Sequence, residues 1–373
     1  MRFPLLFWVF LSVVLVLLEI CLRLNNNRLI TKSNQIKDRL SQKWSNLNLL
    51  NIDPNMSQDE LKKLAVEYNE HVKLCVAQYG NWASAIKSEN LQHMPNFSGE
   101  FLNVVGGLRV TADAPKAIKQ RFFIFGGSTV FCGEVSDKFT LCSQIQAEIN
   151  QHKFSTAVVN FGRHGSTLQN RVIYLKLCDL RKEDLVLFWF GVNELGWKLL
   201  EGKTNLHWFP RIFFIISQGL KSVSRFLALL MLLSNCFDLF FLQPFFQTYA
   251  FLETKRSLGE LQKLAQIKGF RYKVILQPNL LTKLVRSPRE EAMYEFFVSK
   301  DKGRIMKIML DGNYPRFKGL LDRFNGVDAS EIFTQTDQEV FADWVHLNTE
   351  GNRISAKFIF DSFNAAGSFN DLD

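Results

Sequence analysis

"RFFIFGGSTVFCGE", residues 121–134, begins as an apolar strand and turns on two glycines before a small hydroxyl, Ser128. Short apolar runs of this kind recur downstream: "TAVVNF" (156–161), "DLVLFWFG" (184–191) and "YKVILQP" (272–278). Helix-compatible stretches near 138–150, 167–181 and 252–268 separate them, and strands alternating with helices imply a parallel sheet with crossover connections. The expected fold class is α/β.

The rest of the chain is consistent with one principal core. Its 373 residues are 47% hydrophobic, with 35 Phe, and only 22% charged, which is ample for a packed interior and argues against extended disorder. The net charge of +9 comes from scattered basic residues with no nucleic-acid signature, so a nucleic-acid partner is not expected.

Residues 3–22, "FPLLFWVFLSVVLVLLEICL", are nearly unbroken apolar sequence of the roughly 20-residue length a bilayer-spanning helix needs. A membrane anchor over residues 1–25 is expected, with a cleaved signal peptide as the alternative. Basic residues after the run would hold the body in the cytoplasm, although large domains cross largely regardless of charge. Residues 26–100 are polar and read as a helical stalk or subdomain, with a Ser-x-x-Glu start at Ser57. The main domain is expected over 101–373. Within it, residues 206–250 are long and greasy enough to resemble a second span, but Asn235, Asp238 and Pro244 oppose that. Cys21 falls in the anchor, and the other five cysteines form no CxxC pair or metal spacing.

In a doubly wound sheet, ligands bind at the carboxyl ends of the strands, so the residues delivered there matter most. The first strand delivers Ser128, which can cap the helix it begins or act as a nucleophile. The second ends in "NFGRHGST", where Gly162 and Gly165 can bring backbone amides to a ligand, though loop glycines are also ordinary turn residues. The third ends in "GVNEL", with Asn193 at its tip as an amide donor or a turn residue. Near the C-terminus, "DWVHLN" places Asp343 three residues before His346, a spacing that lets a carboxylate orient an imidazole. No second histidine stands at metal-ligand spacing, so neither a metal nor another cofactor is expected.

"FGGSTVF", "NFGRHGST", "FGVNEL" and "DWVHLN" together resemble the SGNH hydrolases, the GDSL-like esterase and acyltransferase superfamily. "FLNVVGGLRV" (101–110) resembles the lead-in of many membrane-anchored bacterial members. The resemblance spans roughly residues 101–200 and 270–364. It implies a flavodoxin-like three-layer α/β/α fold, Ser128 as nucleophile, His346 as base, Asp343 as its orienter, and an oxyanion hole from the Ser128 amide, the Gly165 amide and the Asn193 side chain. Gly165 fits the family's Gly-x-Thr setting better than Gly162. The chain departs from the family at Gly127 and Glu194, where Asp is usual. Val130 also stands where the elbow of α/β-hydrolases has its last glycine.

These readings lead to an expected membrane-anchored serine esterase or O-acyltransferase. It would act on acyl esters of carbohydrates or lipids on the extracytoplasmic side, with 206–250 as a lid or membrane-resting insertion. The alternatives are a lipid-directed esterase with an interfacial lid and a non-catalytic scaffold that retains the fold.

Overall fold

The four apolar runs form the middle of one eight-stranded sheet. A computed structural model of the chain describes residues 56–79, 94–195 and 243–369, all within one compact unit, Leu50–Asp373. The strands are β1 (Phe97–Ser98), β2 (Asn103–Val105), β3 (Leu108–Arg109), β4 (Gln120–Gly126), β5 (Thr156–Gly162), β6 (Leu185–Phe190), β7 (Arg271–Leu276) and β8 (Gly326–Asp328). The helices are α1 (Gln58–Tyr79), α2 (Ser128–Phe131), α3 (Leu141–Gln151), α4 (Leu168–Leu177), α5 (Gln243–Lys268), α6 (Pro288–Val298), α7 (Asp301–Leu321) and α8 (Thr349–Asn364).

The strand order is β1-β2-β3-β5-β4-β6-β7-β8. Strands β4 to β8 pair in parallel, in the doubly wound order 2-1-3-4-5 of flavodoxin-like sheets. The antiparallel strands β1 to β3 extend the sheet beyond β5 through the pair Arg109 and Asn160.

Strands covered on both faces need apolar side chains at every position, which is why β4 and β6 read as continuous runs rather than alternating ones. Phe123, Phe125, Val186, Phe188 and Phe190 point into a core shared with α4, α5 and α7. On the opposite face Phe122 meets Phe363 of α8 with ring centroids 4.6 Å apart, and α8 packs along α3. Three layers result, with the chain reversing between β5 and β6 on either side of β4. Ser128 leaves the end of β4 at this switch point.

Helix α1 begins with the expected capping box, Ser57 Oγ accepting from Glu60 N (3.3 Å) and Glu60 Oε2 from Ser57 N (2.7 Å). Rather than standing free as a stalk, it lies against the β1–β2 edge. Its Glu67 accepts hydrogen bonds from the amides of Glu100, Phe101 and Leu102 at 2.7–2.9 Å, and His71 stacks on Phe131 at 5.4 Å. Burial pulls the pKa of His71 down to about 4, so α1 docks through a neutral imidazole. Residues 26–55 and 80–93 of the expected stalk lie outside the described residues.

The expected anchor, 1–25, also lies outside them, and no described helix is long and apolar enough to cross a membrane. Of the insertion 206–250, only 243–250 are described. They belong to α5, which is helical from at least Gln243, nine residues before the periodicity indicates. Cys75, Cys132, Cys142 and Cys178 carry free thiols, and burial pushes Cys132 up to about 12.

Candidate active site

Ser128 is the first residue of the single turn α2, and Gly127 rather than Ser128 holds the N-cap position, with no side-chain cap bond. The hydroxyl is thereby released from the capping role that the sequence left open. It donates instead to His346 Nε2 at 2.7 Å, across 218 residues of sequence. The imidazole donates from Nδ1 to Asp343 Oδ2 at 2.8 Å, which fixes the tautomer and leaves Nε2 as acceptor. Asp343 Oδ1 accepts from the amides of Val345 and His346, both at 2.8 Å, so the carboxylate is held by the same turn it orients.

The electrostatics favour a basic imidazole. Burial alone would lower the pKa of His346, but the charges of Asp343 and Glu134 outweigh it and raise it to about 9. Burial likewise opposes ionisation of Asp343, and the facing imidazolium and the donated hydrogen bonds prevail, holding its carboxyl below the usual range.

Of the residues expected to supply oxyanion donors, Asn193 lies directly against Gly127. A Cβ on Gly127 would sit 2.1 Å from Asn193 Nδ2, so only glycine lets that amide approach the backbone beside Ser128. Asn193 Nδ2 spends one hydrogen on Ser166 O at 3.0 Å and has a second to offer. Gly165 turns the loop after β5 with φ +64. The alternative, Gly162, donates its amide to Asn160 Oδ1 at 2.8 Å, which removes it from the candidates. The Ser128 amide belongs to the opening turn of α2, where helical N–H groups have no intrahelical partner.

Residues outside the four sequence motifs, together with Glu194, support this arrangement. Buried Arg171 donates to Ser166 O and to Trp189 O (2.7 Å), tying the Gly165 loop to the end of β6. Glu194 accepts from Leu168 N (2.8 Å) and Gly191 N (2.6 Å) and lies 3.5 Å from Arg171 Nη1. The Glu194 side chain thus joins the tip of β6 to the start of α4, between the two loops that carry Asn193 and Gly165.

The histidine loop has its own brace. Glu290 Oε1 accepts from Val340 N (3.0 Å) and Phe341 N (3.3 Å), while Oε2 pairs with Lys283, both side chains being fully buried. Lys283 also donates to Gln338 O at 2.5 Å. In sequence these two read as ordinary charges, and only the fold reveals what they hold. The described residues contain no group of three or more His, Cys, Asp or Glu that could hold a metal ion.

No known family profile matches the sequence, and no curated protein matches it. Among solved structures, the chain is similar to a lipolytic protein of the G-D-S-L family from Veillonella parvula, at 14% identity and a TM-score of 0.38, over 66% of this chain and 98% of the other. It is also similar to a carbohydrate acetylesterase family member from Sinorhizobium meliloti (14%, TM-score 0.36, 66% and 98%). A third is an acetylxylan esterase from Geobacillus stearothermophilus (13%, TM-score 0.36, 66% and 94%). Likenesses of this size bear no weight on chemistry; the contacts among Ser128, His346 and Asp343 do.

Proposed function

We propose that the protein is a serine esterase or O-acyltransferase of SGNH type. The observation that carries this reading is the continuous relay from Ser128 Oγ through His346 to Asp343, with contacts of 2.7 and 2.8 Å. Ser128 Oγ attacks the ester carbonyl while His346 Nε2 takes its proton, and Asp343 stabilises the imidazolium. The amides of Ser128 and Gly165 and the Asn193 side chain hold the tetrahedral oxyanion. Collapse expels the alkoxide, which leaves with the proton from Nε2. Water in a hydrolase, or a sugar hydroxyl in a transferase, then gives its proton to His346 and attacks the acyl-enzyme, and collapse of this second adduct breaks the Ser128 Oγ–acyl bond as Nε2 returns the proton to Oγ. The substrate class proposed is an acyl ester, most simply acetyl, of a carbohydrate or lipid. The apolar run at 3–22 supports a chain anchored in a membrane, while the extracytoplasmic side proposed for the catalytic body rests on the resemblance to membrane-anchored SGNH members and runs against the basic residues that follow the run.

Turnover of p-nitrophenyl acetate by full-length protein tests the reading, and its pH dependence follows from the site. His346 must be neutral to accept the serine proton, and its pKa stands near 9. On the acid side kcat/KM therefore rises about tenfold per pH unit and levels off above that value. A protein inert towards both acetyl and long-chain esters supports the scaffold alternative, and preference for long chains supports a lipid substrate. Asn193→Ala removes one oxyanion donor and is expected to lower kcat about 100- to 1,000-fold with KM little changed. Steady-state kinetics on the acetyl ester read that split.

A further inference from the structure

Glu134 lies just beyond α2 with 6% of its surface exposed, and its Oε1 has no hydrogen-bond partner. That oxygen is 3.5 Å from His346 Nδ1, the nitrogen that donates to Asp343. Backbone geometry keeps the carboxylate there. Arg109 donates to Cys132 O (3.3 Å) and Val135 O (3.0 Å), on either side of Glu134. The Arg109 charge is itself engaged by Asp137 at 2.6 Å. Over the site lies Tyr68 of α1, whose ring is so close to Gly133 that a Cβ there would come within 2.2 Å of it.

A buried carboxylate with one oxygen left unpaired is costly unless something compensates its charge. Here the larger compensating charge is that of the His346 imidazolium, with a smaller share from Arg109. We propose, on the footing of the esterase reading, that Glu134 is a positioning residue of the catalytic relay. It is a second carboxylate on the Nδ1 side of His346 that favours the imidazolium and receives the Nδ1 hydrogen bond when Asp343 is removed.

The groups facing it are Asp343, His346, Arg109, Tyr68 and Cys132. Burial pushes the Glu134 carboxyl up and the His346 charge draws it back, while Asp343 adds to the upward push. Glu134 in turn raises His346. Loss of its charge therefore makes the imidazole less basic.

The experiment compares full-length wild type, Glu134→Gln, Glu134→Asp, Asp343→Ala and the double variant Asp343→Ala/Glu134→Gln on p-nitrophenyl acetate from about pH 6 to 10. The glutamine variant should move the acid limb of kcat/KM to lower pH by roughly one unit, with KM unchanged, while the aspartate variant leaves the limb in place. In the Asp343→Ala background, Glu134→Gln should cost at least about tenfold more than in wild type, because the two carboxylates share one nitrogen. An unmoved limb in a Glu134→Gln variant that melts like wild type would overturn the proposal, as would equal costs in the two backgrounds. Should the glutamine variant not fold, Glu134→Met, of similar volume and uncharged, reads the same shift. An inactive wild type would instead overturn the esterase reading, so the two failures are distinct.

Discussion

Ser128→Ala is expected to lower kcat towards a short-chain ester by about 10,000- to 1,000,000-fold while leaving the melting temperature within a few degrees of wild type. The size follows from losing the covalent route altogether, since only oxyanion stabilisation and binding then remain to accelerate attack by water. The small structural cost follows from what the hydroxyl does in the fold. It caps no helix, and its bond is to His346 Nε2, so truncation removes one hydrogen bond worth about 1 kcal/mol. Gly127 keeps the N-cap, and the amides of Val130 and Phe131 still reach Gly127 O at 3.1 Å. Kinetics and thermal melts on the same purified full-length protein separate the two effects.

The second large effect is on stability. Glu290→Ala is expected to destabilise the protein by about 3–5 kcal/mol, because it leaves the Lys283 ammonium buried without its counter-charge. The amides of Val340 and Phe341 lose their acceptor in the same step. These amides open the loop that ends in Asp343 and His346, so the damage is carried directly to the proposed base. A fall in melting temperature of roughly 10 °C, with ester turnover lost in parallel, is the expected result. Replacing both partners together, Lys283→Met with Glu290→Leu, removes the orphaned charge and should recover part of the loss. Glu350→Ala is the control. Glu350 pairs with Arg353 across one turn of α8, with more than half of the arginine side chain exposed, and exposed pairs of this kind contribute less than about 1 kcal/mol.

What sequence reveals here depends on the kind of interaction. Strands β4 to β7 are legible because burial on both faces demands unbroken apolar runs such as "LVLFWF". The candidate chemistry is legible because a parallel sheet puts Ser128, Gly165 and Asn193 in the loops that follow β4, β5 and β6. The short strands β1 to β3 and β8 carry too few residues for any periodicity to register. Arg171 and Glu290 escape for a different reason. Each sits in a helical stretch where a charge normally faces solvent, and only the packing of distant segments buries it. Glu134 had a faint signal, an acid inside "TVFCGEV", but its approach to His346 joins segments more than two hundred residues apart. The choice between Ser128 as cap and as nucleophile turns on one register step, with Gly127 taking the cap.

The role proposed for Ser128 is that of a nucleophile activated by His346. Labelling the full-length protein at about pH 9, where the imidazole is losing its proton, with a fluorophosphonate and mapping the adduct by peptide mass spectrometry tests it most directly. The expected result is a single modified peptide carrying the adduct on Ser128, with labelling abolished in Ser128→Ala and strongly slowed in His346→Ala. A folded wild-type protein that takes no label at Ser128, or labelling that persists unchanged without that hydroxyl, would contradict it.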